Sequence, residues 1–253
     1  MSISKTSYYH EPKRRAQEQP IADYLLALAK RHNRWGFDKM RQKAKLDGKP
    51  WNHKRLYRIY CELRLNIRVK PRKRLPRGEA KMLTQPIRSN ICWSMDFMSD
   101  ALSCGRKFRT LNVIDDYNRE CLLIGINYSL PAIQVTRLLD ELALYRGYPD
   151  VIRVDNGSEY RSHHFQKWAK QHHILIHYIQ PGKPAQNGFV ERFNRTYRED
   201  VLDMNLFDRL SEVKAITEEW INLYNVERPH EALNGLAPVL FAKQRQMEFS
   251  TLR

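Results

Sequence analysis

The sequence predicts an α/β domain with a mixed five-stranded sheet, preceded by a small, basic, all-α domain. From residue 91 onward, three strand-like segments are followed by helix, strand, helix, strand and helix patterns in that order. That succession is typical of an α/β domain with a mixed sheet. Before residue 91, apolar residues recur only at helical spacing, and basic residues greatly outnumber acidic ones.

The positive charge is concentrated in the first third of the chain. The 253 residues carry a formal charge of +16, but residues 1–90 alone carry 24 Lys and Arg against 7 Asp and Glu, or +17. A surface made basic only for solubility would spread this charge evenly. A localised basic region indicates a polyanionic partner, most often nucleic acid. An anionic membrane attracts the same charges, but no long apolar run or strong amphipathic anchor accompanies them here, so no membrane partner is expected.

Secretion and metal binding by cysteine are not indicated. The first ten residues lack the apolar core of a signal peptide, and no apolar run approaches eighteen residues, so we expect a soluble protein that stays inside the cell. The pair His173 and His177 lies in a strand-like pattern without a second ligand pair, which does not favour zinc. The cysteines show no CxxC pairing and are expected to be reduced packing residues. They are Cys61, Cys92, Cys104 and Cys121.

Three short helices are predicted over residues 21–66, after a loose basic arm over 1–20. The third begins at Asn52, a good N-cap, and has a basic exposed face. This arrangement favours a helix-turn-helix module, although basic three-helix domains also bind RNA or protein. Its candidate DNA contacts are Lys54, Arg55 and Arg58. Residues 67–90 are predicted to be an extended basic linker that follows phosphates.

The predicted α/β domain covers residues 91–205, and residues 206–253 form a C-terminal helical extension. Helix boundaries are indicated by Pro131 and Gly147, by Ser162, and by Ser211 as the cap of a later helix. The predicted strands are 91–98, 107–114, 120–128, 151–154 and 174–179. A loop at 181–184 precedes a helix whose apolar stripe faces the core and whose neighbouring face is polar. The stripe is Val190, Phe193, Tyr197 and Val201, and the polar face is Glu191, Asn194, Arg195 and Arg198.

Three carboxylates stand on three of these elements. Asp96 lies within the first strand, Asp155 at the carboxyl end of the fourth, where α/β sheets bind ligands, and Glu191 near a helix start. Singly, each has an ordinary explanation: a salt bridge, a turn, or a charge that complements the helix dipole. Together they suit two Mg²⁺ or Mn²⁺ ions, which take oxygen ligands and activate water on a phosphate substrate.

The motifs around these carboxylates resemble the DDE core of retroviral integrases and related transposases. They are Trp93-Ser-Met-Asp96-Phe, Asp155-Asn-Gly-Ser-Glu-Tyr160 and Gln186-Asn-Gly-Phe-Val-Glu191-Arg-Phe-Asn194, with 35 residues between Asp155 and Glu191. Four closing features are similar to the second reading-frame product of insertion-sequence-three family transposases. They are Arg198, Tyr224-Asn, Arg228-Pro-His230 and Leu233.

The resemblance implies an RNase H-like fold and a DNA transposase that cleaves and joins strands at the ends of its own element. It implies that Asp96 bridges two metal ions while Asp155 and Glu191 each hold one. Candidate phosphate contacts are Lys183, Asn194 and Arg198. The implied partners are element ends and target DNA, further copies of the chain, and an upstream reading-frame product, fused or separate, in the bacterial cytoplasm.

Two other functions remain open at this point. In the first, the chain is a non-catalytic DNA-binding regulator or an inactive remnant. The first ninety residues then bind DNA, and the α/β core only packs. In the second, it is an RNase H-like nuclease, which degrades generic substrates and makes no joined product.

Overall fold

The computed structural model describes residues 14–67, 85–180 and 184–251. The chain divides into two compact units, one up to Lys73 and the other from Arg74. Most of the predicted linker and the first thirteen residues of the predicted arm lie outside the described residues.

In its described residues, 14–67, the first unit contains three helices around one apolar core. They are α1 (Arg14–Arg31), α2 (Phe37–Leu46) and α3 (His53–Glu62). The predicted cap of α3 is confirmed, because the Asn52 Oδ1 atom accepts a hydrogen bond of 2.8 Å from the Lys54 backbone N–H. The core residues are Ile21, Leu25, Leu28, Trp35, Met40, Leu56, Ile59 and Tyr60.

The prediction of a loose arm is wrong for residues 14–20, which belong to α1. Pro20 lies inside this helix, although proline removes a backbone hydrogen bond there. A tertiary contact provides the compensation: the Glu18 carboxylate accepts a hydrogen bond from Arg58 of α3 and lies 3.8 Å from the Arg55 guanidinium. This contact is not visible in the local sequence.

The second unit is built on the predicted mixed sheet. Its strand order is β3-β2-β1-β4-β5, with antiparallel pairing of β1 with β2 and β2 with β3, and parallel pairing of β1 with β4 and β4 with β5. The RNase H-like α/β fold class is therefore confirmed. The strands are β1 (Cys92–Ala101), β2 (Lys107–Asp115), β3 (Cys121–Asn127), β4 (Val151–Val154) and β5 (Leu175–Tyr178).

Six helices accompany this sheet in the described ranges. The predicted caps at Pro131, Gly147 and Ser162 are confirmed, but the cap at Ser211 is wrong. That helix begins after Arg209, because the Glu212 carboxylate accepts the backbone N–H groups of Asp208 and Arg209. The helices are α4 (Ala132–Arg146), α5 (Ser158–Arg161), α6 (His163–Gln171), α7 (Gly188–Asp200), α8 (Leu210–Val226) and α9 (Pro238–Thr251). Within the described part of the chain, no helix is long and apolar enough to cross a membrane.

The sheet has an apolar core on each face. Trp93 and Met95 of β1 pack in the core that α4 and α6 cover, whereas Met98 packs in the core that α7 and α8 cover. Because side chains alternate along a strand, Asp96 points to the same face as Met98. The sheet therefore presents Asp96 towards the helix that carries Glu191.

Helix α8 packs beside α7 on the same face of the sheet, where it also contacts β3. The predicted stripe of α7 is confirmed, since its four apolar residues are at most 2 % exposed. Phe193 stacks edge-to-face against Trp220, with the ring centroids 5.6 Å apart. The Tyr197 hydroxyl forms a buried hydrogen bond of 2.7 Å with the Thr217 hydroxyl. The C-terminal segment thus contributes to the core that holds α7.

Replacing Thr217 with Val should lower the free energy of unfolding by about 1 to 3 kcal/mol, because the Tyr197 hydroxyl would stay buried without a partner. Adding Tyr197→Phe removes that hydroxyl, so the double variant should recover part of the loss. Urea unfolding followed by tryptophan fluorescence measures both. The control is Thr196→Val, whose hydroxyl bonds at the exposed surface of α7 and whose loss should change the free energy by less than about 0.5 kcal/mol. No recovery in the double variant would contradict this account.

Candidate active site

Asp96 is held from both sides of its carboxylate. The Oδ1 atom accepts a hydrogen bond of 2.8 Å from the Phe97 backbone N–H, and Oδ2 accepts one of 2.7 Å from the Asn194 side-chain amide of α7. The Asn194 carbonyl in turn accepts a 2.7 Å hydrogen bond from Asn112, the residue opposite Asp96 on β2. Two amides therefore connect β2, α7 and the Asp96 carboxylate.

The environment of Asp96 makes its negative charge costly. The pKa of Asp96 is raised to about 6. Burial is the largest cause, and the negative charges of Asp155 and Glu191 also contribute. The hydrogen bonds from Phe97 and Asn194 act in the opposite direction, because they favour the ionised form. The three predicted carboxylates are therefore close enough to act on one another.

Asp155 follows β4 directly and is fixed by the turn that it begins. Its Oδ1 atom accepts a hydrogen bond of 2.9 Å from the Gly157 backbone N–H. The Asn156 side chain donates to the Ile179 carbonyl at 2.8 Å, which attaches the turn to the end of β5. A Cβ atom on Gly157 would stand 2.9 Å from Asp155 Oδ1. Only glycine leaves the carboxylate in this position.

Glu191 lies in the first turn of α7 and is exposed. Partial burial raises the pKa of its carboxyl group, and the Arg195 guanidinium one turn further on opposes this shift. The start of a helix also favours a negative charge. Glu191 is thus an ionisable group at the surface, on the helix whose inner face is fixed by the core.

These carboxylates do not form a complete metal site as they stand. Among the described residues, no group of three or more His, Cys, Asp and Glu side chains is arranged to hold a metal ion. The donor chemistry nevertheless fits a hard divalent cation, because Asp96, Asp155 and Glu191 offer only carboxylate oxygens.

A second set of contacts supports the Asp155 turn from the other face of the sheet. Arg109 of β2 donates a hydrogen bond of 2.5 Å to the Glu159 carboxylate of α5, and its guanidinium carbon lies 4.3 Å from the centre of the Phe97 ring. The Phe97 and Tyr160 rings stack with centroids 5.2 Å apart. Although burial acts to raise it, the hydrogen bond from Arg109 holds the pKa of Glu159 below its usual value. Arg109 was not among the sequence-predicted site residues.

The two predicted phosphate contacts on α7, Asn194 and Arg198, have different surroundings. Asn194 is only 8 % exposed, and its amide is bound to Asp96 and Asn112, which argues against a phosphate contact; that contact stays a prediction. Arg198 donates to the Asp100 carboxylate at 3.2 Å and to the Ser99 carbonyl at 3.0 Å, with 38 % of its side chain exposed. Its DNA contact stays a prediction. Lys183 lies outside the described residues.

The predicted DNA contacts of α3 differ in their surroundings. Lys54 is exposed, and Arg55 is partly buried beside Glu18. Arg58 forms ion pairs with Glu18 and Glu62 at 2.5 and 2.9 Å. Because two carboxylates already neutralise Arg58, it attracts a phosphate less strongly. Lys54 and Arg55 are therefore the stronger candidates for DNA contacts. Their role in DNA binding stays a prediction.

Two protein-family models match the second unit, and both describe an integrase core domain. One matches residues 86–184 and the other residues 172–238. Together they span all three predicted carboxylates.

Similar proteins come from bacterial insertion elements. The chain is 35 % identical over 240 residues to the insertion element IS476 uncharacterized 39.2 kDa protein of Xanthomonas euvesicatoria, covering 95 % of this chain and 69 % of that protein. It is 34 % identical over 246 residues to the insertion element IS407 uncharacterized 31.7 kDa protein of Burkholderia multivorans, covering 97 % and 89 %. Among solved structures, the magnesium complex of the HTLV-2 integrase catalytic core domain (trimeric form) is similar with a TM-score of 0.49 and 18 % identity, covering 62 % of this chain and 98 % of that one.

Gly157→Ala should displace the Asp155 carboxylate without straining the backbone, because alanine readily adopts the φ of −57° and ψ of 147° found here. If the site cleaves DNA as the resemblance implies, cleavage should fall about 10- to 100-fold. The rate on labelled DNA ends and the urea midpoint measure activity and stability separately. Gly36→Ala is the control, since no heavy atom lies within 4 Å of the added Cβ. A wild-type cleavage rate in Gly157→Ala would remove the argument for close positioning of Asp155.

Proposed function

The chain belongs to the integrase-core transposases of bacterial insertion elements, and from this we propose that it cleaves DNA at the ends of its own element and joins them to target DNA. Such an enzyme is a polynucleotidyl transferase: it breaks one phosphodiester bond by hydrolysis and forms another by transesterification. The family relationship is the one that the motifs around Asp96, Asp155 and Glu191 predict.

The proposal is supported above all by the position of Asp96 between two other carboxylates. Asp96 and Asp155 belong to neighbouring parallel strands, and Glu191 begins the helix that covers the same face. A buried carboxylate whose charge is opposed by two others is a costly arrangement for a protein that only binds DNA. It is the arrangement expected where a cation is to be bound.

Asp96, Asp155 and Glu191 would hold two divalent cations, Mg²⁺ or Mn²⁺, with Asp96 shared between them. Bound there, such ions activate the attacking hydroxyl and stabilise the leaving oxygen of a phosphodiester. Asn194 keeps the Asp96 carboxylate facing α7, and the turn at Gly157 keeps Asp155 beside it. The side chains contribute position and negative charge, and no covalent bond to the protein is needed.

The reaction proceeds in two displacements at phosphorus. In the first, the oxygen of water forms a bond to phosphorus at the element end, and the bond to the 3′ oxygen breaks, leaving a free 3′-hydroxyl group. In the second, that 3′ oxygen forms a bond to phosphorus in target DNA, and the displaced 3′ oxygen of the target strand leaves with a proton. The protons released pass to solvent.

We assign the sequence-predicted partners to this reaction. The basic first unit would bind element ends, through Lys54 and Arg55 on α3, and Lys183 and Arg198 would contact phosphates near the carboxylates. Two ends must be processed together, which favours an assembly of several copies of the chain. An upstream reading-frame product, fused or separate, would add end recognition. The reaction takes place where the element's DNA lies, in the bacterial cytoplasm.

Replacing Asp96 or Asp155 with Asn, or Glu191 with Gln, should each lower Mg²⁺-dependent cleavage on the order of 10³-fold, because each removes a negatively charged oxygen ligand. Cleavage and joining of labelled element ends, with and without Mg²⁺, give the rates. Binding of the same DNA should persist in all three variants. Glu199→Gln, on the exposed face of α7, is the control and should keep its activity.

The same assay separates the alternatives. A non-catalytic regulator would bind DNA with no nicking in the unaltered chain. A generic nuclease would degrade unrelated duplexes and give no joined product. Full cleavage in any one of the three variants would exclude that residue from the site.

Replacing Lys54 and Arg55 together with Ala should weaken binding to all DNA sequences and reduce the slope of log K against log salt by about 2, because two phosphate contacts are lost. Fluorescence anisotropy over a range of KCl concentrations measures this slope. Lys214→Ala, at an exposed position of α8, is the control for loss of charge. An unchanged slope in the double variant would place the DNA-binding surface elsewhere.

A further inference from the structure

Arg109 is a charged residue near the middle of the second unit that the proposed reaction does not use directly. It pairs in register with Ser99 of β1 and lies on the face of the sheet opposite Asp96. Its side chain is 33 % exposed, and that of its partner Glu159 is 18 % exposed. The ion pair is therefore shielded from solvent more than an ordinary surface pair.

The contacts of Arg109 connect the two elements that carry the aspartates. Phe97, beneath its guanidinium, directly follows Asp96 on β1. Glu159, its hydrogen-bond partner, belongs to the turn of helix that follows Asp155. Tyr160 completes the connection by stacking on Phe97. One guanidinium thus contacts the neighbour of Asp96 and the segment that begins at Asp155.

Glu159 is also close to Asp155 itself. Around the position of a Cβ atom on Gly157, the Asp155 Oδ1 atom lies at 2.9 Å and the Glu159 Oε2 atom at 3.5 Å. The sum of these two distances, about 6.4 Å, is the largest possible separation of the two oxygens, and negative charges at such a separation repel each other unless one is neutralised. Arg109 supplies the neutralising charge and holds one oxygen of Glu159 in a hydrogen bond.

We propose that Arg109 is a positioning residue for the transposase site: by neutralising the charge of Glu159, it keeps the turn that carries Asp155 in place relative to Asp96. This inference rests on the proposed function. Without Arg109, Glu159 keeps its negative charge and the hydrogen bond from the Ser158 hydroxyl but has lost its cationic partner, and repulsion moves the turn away from its position at the end of β4. Without both Arg109 and the charge of Glu159, the repulsion disappears and the turn keeps most of its position.

The variants that separate these effects are Arg109→Ala, Arg109→Lys, Glu159→Gln and the double variant R109A/E159Q. Arg137→Ala is the matched control, because it removes an exposed ion pair with Glu141 on α4. We expect Arg109→Ala to lower kcat for strand cleavage 10- to 100-fold, with the KM for DNA within about twofold of the unaltered chain. Arg109→Lys and R109A/E159Q should each regain about tenfold of that loss. Glu159→Gln removes the charge that Arg109 neutralises, so it should lose less activity than Arg109→Ala, and Arg137→Ala should stay within about twofold.

A second measurement does not depend on catalysis. Mn²⁺ raises the unfolding temperature of a protein that binds it in the folded state, so melting curves over a range of Mn²⁺ concentrations give an apparent Kd for each variant without DNA. We expect this Kd to rise about tenfold in Arg109→Ala and to return towards the original in R109A/E159Q. A change in melting temperature without Mn²⁺ reports stability alone, and it should not follow the same order.

Distinct results overturn the inference and the proposed function. Arg109→Ala with an unaltered kcat and Mn²⁺ affinity overturns the positioning role, as does a double variant that is no better than Arg109→Ala. If the unaltered chain cleaves no DNA, the proposed function fails, and the Mn²⁺ titration still decides whether Arg109 organises the carboxylates. If Asp96→Asn responds to Mn²⁺ as the unaltered chain does, the carboxylates are not the metal site.

Discussion

The burial of the Asp96 carboxylate beside two other negative charges is the constraint around which the polar groups of the second unit are arranged. Asp96 is buried and near two further negative charges, and its pKa of about 6 expresses that cost. The surrounding structure opposes the cost with directed hydrogen bonds from Phe97 and Asn194, and with the positive end of α7 beside Glu191. A fold selected only for stability would gain by replacing these groups with apolar side chains. A buried carboxylate beside two other negative charges is the arrangement expected where a cation is to be bound.

The order of the strands determines where these carboxylates lie. As the central strand, β1 has an antiparallel neighbour on one side and a parallel neighbour on the other. The antiparallel neighbour places Asn112 opposite Asp96, and the parallel one ends at Asp155 beside it. Helix α7 then covers the same face with Glu191 and Asn194, and α8 fixes α7 through its aromatic residues. β1, β2, the end of β4 and α7 thus contribute the polar groups of the site, and α8 contributes only packing.

The local sequence was sufficient for much of the fold. Strand alternation predicted the sheet, and the caps at Asn52, Pro131 and Ser162 were recognisable because each acts within a few residues of itself. The start of α1 was predicted wrongly, because residues 14–20 include Glu18, whose partner Arg58 lies on another helix. The cap of α8 was predicted at Ser211, but the helix begins after Arg209, where the Glu212 carboxylate accepts the backbone N–H. The pairing of Arg109 with Glu159 spans 50 residues, and no local pattern relates the two. Such contacts depend on strand register, which alternation alone does not determine.

Asn194 shows how a site residue can be hidden in a packing pattern. Together with Val190, Tyr197 and Val201 it recurs at i, i+4, i+7 and i+11, so it belongs to the buried stripe of α7 as much as to the polar face. An amide in such a stripe loses about 1 to 3 kcal/mol unless it finds a buried polar partner. Its position therefore carries information that composition does not: a polar partner must face it across the core. The hydrogen bond from the Asn194 amide to Oδ2 identifies that partner as Asp96, and Asn194 therefore helps to hold the carboxylate in place.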